Sequence, residues 1–185
     1  MTRTVLLDNI AHKDLWVRTG YSAEFGDSIN HVPVFPTEFA HVQREYPILF
    51  RRDAGGGPQA GGGFRLRPRQ KLFPDGPSRG GRRYVPAVLQ KGPFLIGFRK
   101  QEADGDIVNE PVIHVDLDHP RISTSEGEPV FLRHGGNSPY LEHANRMLQI
   151  IYRGTLMARA MFAAFEEAGL IEPPDIGIQL EERVE

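Results

Sequence analysis

His114, Asp116 and the later His134 are the side chains in this sequence whose types and spacing could do chemistry. Alternate side chains of a strand project from one face, so a His-Val-Asp tripeptide would stand His114 and Asp116 together. With His134, eighteen residues beyond Asp116, they make the two-histidine, one-carboxylate ligand set of a non-haem iron oxygenase. Iron held by these three residues is the expectation for an enzyme. The competing expectation is that His114 and Asp116 decorate the solvent face of a half-buried strand, since such tripeptides recur by chance.

Nothing else in the chain is as suggestive. Asp118 and His119 precede Pro120 and read as turn chemistry, with the aspartate bonding its own backbone. His12, His31, His41 and His143 stand alone and read as surface or interface residues. No G-x-S-x-G elbow surrounds any serine. The absence of cysteine excludes a thiolate nucleophile, a sulfur-ligated metal and a disulfide framework. No catalytic or cofactor-binding residue is assigned, and no cofactor is expected outside the iron alternative.

The elements that would position these groups are strands first and helices late. Thr37 precedes a short helical phrase, after which Tyr46, Ile48 and Phe50 alternate; Pro47 directs that strand to an edge or a strand start. Gly92-Pro93 marks a turn before Phe94, Ile96 and Phe98. In the next strand Ile113, Val115 and Leu117 form the apolar face that should be buried, opposite Val112, His114 and Asp116. Ser138, Pro139 and Glu142 make a strong helix start: a cap, a residue with preset φ and a negative charge in the first turn. Leu141, Ala144, Leu148 and Ile151 form its stripe. A second helix is expected from about Thr155 to Ala168, with a stripe of Leu156, Ala160 and Ala164 joined by Met157, Met161 and Phe165. It would stop at Gly169 and Pro173-Pro174. The ending "DIGIQLEERVE" alternates weakly and could add a strand. The fold class is therefore α+β, a mostly antiparallel sheet with two consecutive C-terminal helices, in a single domain over 1–185.

The 185 residues carry a formal charge of −2, with 25% charged and 39% apolar residues, which is the balance of a globular chain. That mean hides residues 54–83, where Arg65, Arg67, Arg69, Lys71, Arg79, Arg82 and Arg83 face only Asp75. The rest of the chain holds 15 basic and 23 acidic residues. The segment lacks the G-K-[ST] of a phosphate loop, and an acidic body would repel a nucleic-acid backbone. No nucleic-acid partner is expected, and 54–83 is expected to be an irregular loop that contributes no packing. With no secretory signal and no run near ~18 apolar residues, no membrane span is expected and the chain reads as cytoplasmic.

Four phrases, "HVPVFPTEFAHVQREYPILF", "KLFPDG", "YVPAVLQKGPFLIGF" and "VDLDHPRISTSEGEPVFLRHGGNSPYLEHANRMLQIIYRGT", together resemble the SapC family of bacterial proteins. The resemblance runs from about residue 31 to 172 and leaves out much of 54–83. None of the phrases is a catalytic signature. The resemblance implies a non-catalytic accessory or protein-binding component linked to a bacterial envelope or surface-layer system, with a protein partner of unknown identity. Relatives carry an ordinary apolar strand where 54–83 stands and continue past Leu170-Ile171, so the resemblance also implies a chain short at its C-terminus. The glycine, arginine and proline of the aberrant segment are what wrong-frame reading of a GC-rich gene would yield, with the frame restored before Tyr84.

Overall fold

The computed structural model describes residues 3–27, 31–53, 55–62, 84–103 and 106–171. Its strands are β1 (Thr4–Leu6), β2 (Trp16–Val17), β3 (Val32–Pro33), β4 (Ile48–Arg52), β5 (Pro58–Gly62), β6 (Phe94–Ala103), β7 (Asp106–Asp116), β8 (Ile122–Ser123) and β9 (Glu128–Pro129). Its α-helices are α1 (Phe39–Val42), α2 (Ala87–Gln90) and α3 (Pro139–Glu167). The strands form three antiparallel sheets in the orders β1-β7-β6, β8-β2-β9 and β3-β5-β4. An α+β fold dominated by antiparallel pairing is what the strand-first, helix-late pattern implies.

The β6–β7 hairpin is the largest of these units. Phe94 pairs with Val115 and Ile96 with Ile113, which puts the apolar set on one face. Phe94 and Val115 are completely buried, and with Leu15, Val17, Val130, Leu141, Ala144 and Leu148 they form one core between the first two sheets and the first half of α3. Val32, Val34, Val42, Tyr46, Ala60 and Phe162 form a second core between the third sheet and the far half of the helix. One helix thus closes both cores.

That helix is a correction to the sequence-based expectation of two. α3 runs unbroken for 29 residues, about 43 Å at 1.5 Å per residue. Ser138 caps it through the Leu141 N–H at 3.1 Å, Pro139 occupies the first turn, and Gly169 ends it in the left-handed region at φ +65°. Gly154, which directly precedes the expected start of the second helix at about Thr155, is buried inside α3. A Cβ there would overlap Phe35 Cβ and lie 2.6 Å from Thr37 Oγ1. The glycine serves close packing, and the backbone stays helical through it. Because the helical phase continues, the apolar side after Gly154 runs through Ala158, Met161, Phe162 and Phe165. Leu156 and Met157, expected in the stripe, are 54% and 52% exposed, and Ala160 and Ala164 are exposed as well.

The Gly-rich segment is the second correction. Its residues Pro58–Gly62 are the central strand of the third sheet, pairing with β4 on one side and β3 on the other. Ala60 is 3% exposed. A Cβ on Gly62 would stand 3.1 Å from methyl groups of both Val34 and Val42, so a side chain that composition reads as flexibility is missing because neighbours fill its place. The arginine-rich remainder, residues 63–83, lies outside the described residues, as does the expected C-terminal strand. β4 begins directly after Pro47 and, among the described residues, lies at the edge of its sheet, in keeping with a proline that marks an edge or a strand start.

Candidate functional site

His114 sits in β7 opposite Leu6 of β1 and Leu95 of β6, on the face of the sheet turned away from Val115 and the core. Its ring covers Gly97, where a Cβ would collide with the imidazole, and its Nδ1 is buried without a hydrogen-bond partner. Asp116 shares that face and accepts from the Asp118 N–H at 3.1 Å. The turn aspartate is therefore Asp116; Asp118 instead accepts from the Arg3 N–H at 3.0 Å. His134 is on an exposed turn closed by the Gly135 N–H to Leu132 carbonyl bond. Among the described residues, no group of three or more histidine or acidic side chains is disposed to hold a metal ion.

A concave apolar surface lies elsewhere, at the outer edge of β6. A notch of about 450 Å³ opens between β6, α2 and the middle of α3. Val88, Leu95, Phe98, Ile151, Tyr152 and Leu156 provide its apolar walls, and its charged side chains are Lys91 and Arg159, both cationic. Leu95, Phe98 and Leu156 are 37%, 55% and 54% exposed. Phe98 and Tyr152 meet across the notch with ring centroids 6.0 Å apart.

Each wall is fixed by a distinct piece of chemistry. α2 is held at its first turn by Glu38, a fully buried carboxylate that accepts from the Ala87 N–H at 2.9 Å, the Tyr84 hydroxyl at 2.8 Å and the Phe35 N–H at 3.2 Å. Burial raises the Glu38 pKa, and those three donors oppose the shift. The chain leaves α2 through Lys91, whose ammonium donates to the Phe94 carbonyl at 3.0 Å and the Gly92 carbonyl at 3.3 Å. Burial lowers the Lys91 pKa against the pull of Asp116. α3 is tied to the turn before α1 by Thr37, whose hydroxyl donates to the Ile150 carbonyl at 2.9 Å.

A smaller polar cavity of about 170 Å³ lies behind α2, lined by Tyr21, Gln90, Arg121, Tyr140 and His143 together with Thr19, Gly20, Leu89 and Gly92. Arg121 anchors it. The guanidinium pairs with Asp27 at 2.6 Å, both side chains nearly inaccessible, donates to the Gly20 and Arg18 carbonyls at 2.6 and 3.1 Å, and stacks over the Phe25 ring at 4.4 Å. Gln90 donates to the Val85 carbonyl, which orients its amide so that Oε1 faces His143 Nε2 at 3.0 Å. Burial, reinforced by Arg146, lowers the His143 pKa, and burial pushes Tyr140 up to about 12. Gln90 and His143 thus position one another, while Arg121 is satisfied by Asp27 and the two carbonyls.

Sequence reading did not find the notch, α2's buried staple or the Asp27–Arg121 pair. The pair spans 94 residues, beyond any local pattern. One signal for the notch was present: Leu156 and Met157 fall off the stripe if the helix is continuous from Leu141.

A family model described as SapC matches residues 7–185 of the chain, a longer span than the phrases of the resemblance. No curated protein and no solved structure matches it. No helix among the described residues is long and apolar enough to cross a membrane.

Proposed function

The chain belongs to the SapC family, and from that premise we propose that it is a non-catalytic accessory protein that binds another protein through the notch between β6 and α3. The observation that carries this reading is the set of large apolar side chains left in water there: Leu95, Phe98 and Leu156. Scattered exposed leucines are ordinary, but apolar residues gathered into one concavity are the usual mark of an interaction site. The notch is walled mainly by apolar side chains and has no histidine or carboxylate in its lining, so it suits packing better than acid–base chemistry. The bacterial envelope or surface-layer setting implied by the family resemblance, and action from the cytoplasmic side, belong to the same proposal.

The test begins with photo-crosslinking in the native host from a probe at Tyr152, with identification of the crosslinked protein and reconstitution of the purified pair. Leu156→Glu should weaken that defined complex by about tenfold or more while leaving the circular dichroism and melting temperature unchanged. An unaltered affinity would remove the notch from the binding surface. Stoichiometric iron in the purified protein, lost on His114→Ala, would replace the accessory reading with the oxygenase built on His114, Asp116 and His134.

A further inference from the structure

β6 is ten residues long and pairs with β7 along only one of its edges; among the described residues no strand lies on the other. The hydrogen-bond phase says which groups that edge offers. The Asp116 N–H bonds to the Pro93 carbonyl at 3.0 Å. In the same register Leu95, Gly97 and Arg99 therefore exchange their bonds with β7, and Ile96, Phe98 and Lys100 turn their N–H and C=O groups outward. Phe94, the first outward residue, is sealed, because its carbonyl accepts from Lys91 Nζ and its N–H reaches the Lys91 carbonyl at 3.4 Å. The open stretch thus begins at Ile96 and runs along the mouth of the notch.

A ladder of outward backbone groups beside an apolar trough is the geometry in which an extended segment adds as a strand, the backbone giving affinity and the alternate side chains giving specificity. Charge decides what that segment carries. Lys91 and Arg159 line the trough with no carboxylate among the lining residues, and Lys100 follows Phe98 on the open edge. A second copy pairing β6 with β6 about a twofold axis would set two Lys100 and two Arg159 side chains into one interface, where like charges repel. A segment with acidic residues between its apolar ones would meet the same cations favourably.

The geometry points to the open edge of β6, from Ile96 to Lys100, as the docking site for an extended acidic–apolar segment of a partner protein, added as a further strand. This rests on the protein-binding reading of the notch and specifies the chemistry of its partner.

The probe is a fluorescein-labelled octapeptide of alternating valine and glutamate, titrated with the full chain and followed by anisotropy, beside a valine–lysine octapeptide. The expected result is saturable binding of the acidic peptide, weakened about tenfold by Leu156→Glu and by Arg159→Glu. Met157→Glu on the same helix should leave it unchanged. Hydrogen exchange at the amides of Ile96, Phe98 and Lys100 should slow on saturation. Equal binding of the valine–lysine peptide would overturn the acidic class. Absence of protection at those three amides with either peptide would overturn strand addition, whereas the protein-binding reading of the notch is overturned separately, by a reconstituted natural complex that ignores Leu156→Glu.

Discussion

Gly154 of α3 lies directly against Phe35, with no room for a Cβ between them. In an exposed helix, replacing glycine by alanine gains up to about 1 kcal/mol from propensity. Here the added methyl must displace Phe35 Cβ and Thr37 Oγ1, and Thr37 is held by its bond to the Ile150 carbonyl. Overpacking of this kind costs about 1–3 kcal/mol. Gly154→Ala should therefore lower the urea midpoint with an unchanged slope, and a stabilised variant would show that the turn over α3 yields freely.

Asp27 and Arg121 form the most buried ion pair among the described residues. Removing one partner strands the other charge away from water, at a cost of about 3–5 kcal/mol. Asp27→Ala should fall in that range by chemical denaturation, and so should Arg121→Met, which also abandons the Gly20 and Arg18 carbonyls. The double variant should be clearly more stable than the sum of the singles predicts. Additive losses would mean that the two side chains are stabilised separately.

His119 couples stability to pH. Its Nδ1 accepts from the Arg121 N–H at 3.1 Å, and burial, then Arg121, lowers its pKa below the ordinary 6.5, with Lys91 adding to the effect and Asp116 and Asp27 opposing it. A lowered histidine pKa means the unfolded chain takes up the proton first as pH falls. The stability this group contributes is present above pH 6.5 and is lost on acidification toward the folded-state pKa. His31 and His143 are shifted the same way. His119→Asn keeps an acceptor for the Arg121 amide and removes the titration, so it should shallow the rise of stability between about pH 5 and 7 without abolishing it. A slope equal to that of the wild type would assign the pH dependence to the other histidines.

What the sequence made legible follows from the range of each interaction. The cap at Ser138, the stop at Gly169, the edge character after Pro47 and the buried face of Val115 and Ile113 depend on neighbours within a turn or on simple alternation, and all are where local rules put them. The helix boundary expected at about Thr155 and the loop expected from residue 54 fail for one reason, at Gly154 and Gly62. A glycine that leaves space for a distant side chain looks in sequence like one that breaks an element, and only the Phe35 and Val34 contacts distinguish them. The notch was hidden by the same error, because a break before Thr155 resets the helical phase and turns Leu156 inward on paper.

The strand β5 gives the sharpest check on that lesson. The Asp53 N–H bonds to the Gly57 carbonyl at 2.7 Å and the Val34 N–H to the Ala60 carbonyl at 3.0 Å. With the registers Leu49↔Gly61 and Val32↔Gly62, these phases direct the amides of Gln59 and Gly61 to β4 and those of Ala60 and Gly62 to β3. A glycine-rich loop would exchange all four amides rapidly, since its backbone would be bonded to water. A central strand flanked on both sides exchanges them only through opening of the sheet, so Ala60, Gly61 and Gly62 should be among the slower amides outside α3. Ala60→Asp should then be destabilising, because it puts a carboxylate into the apolar cluster of Val34, Val42 and Phe162. Fast exchange across residues 59–62 together with a tolerated Ala60→Asp would return the segment to the loop that its composition describes.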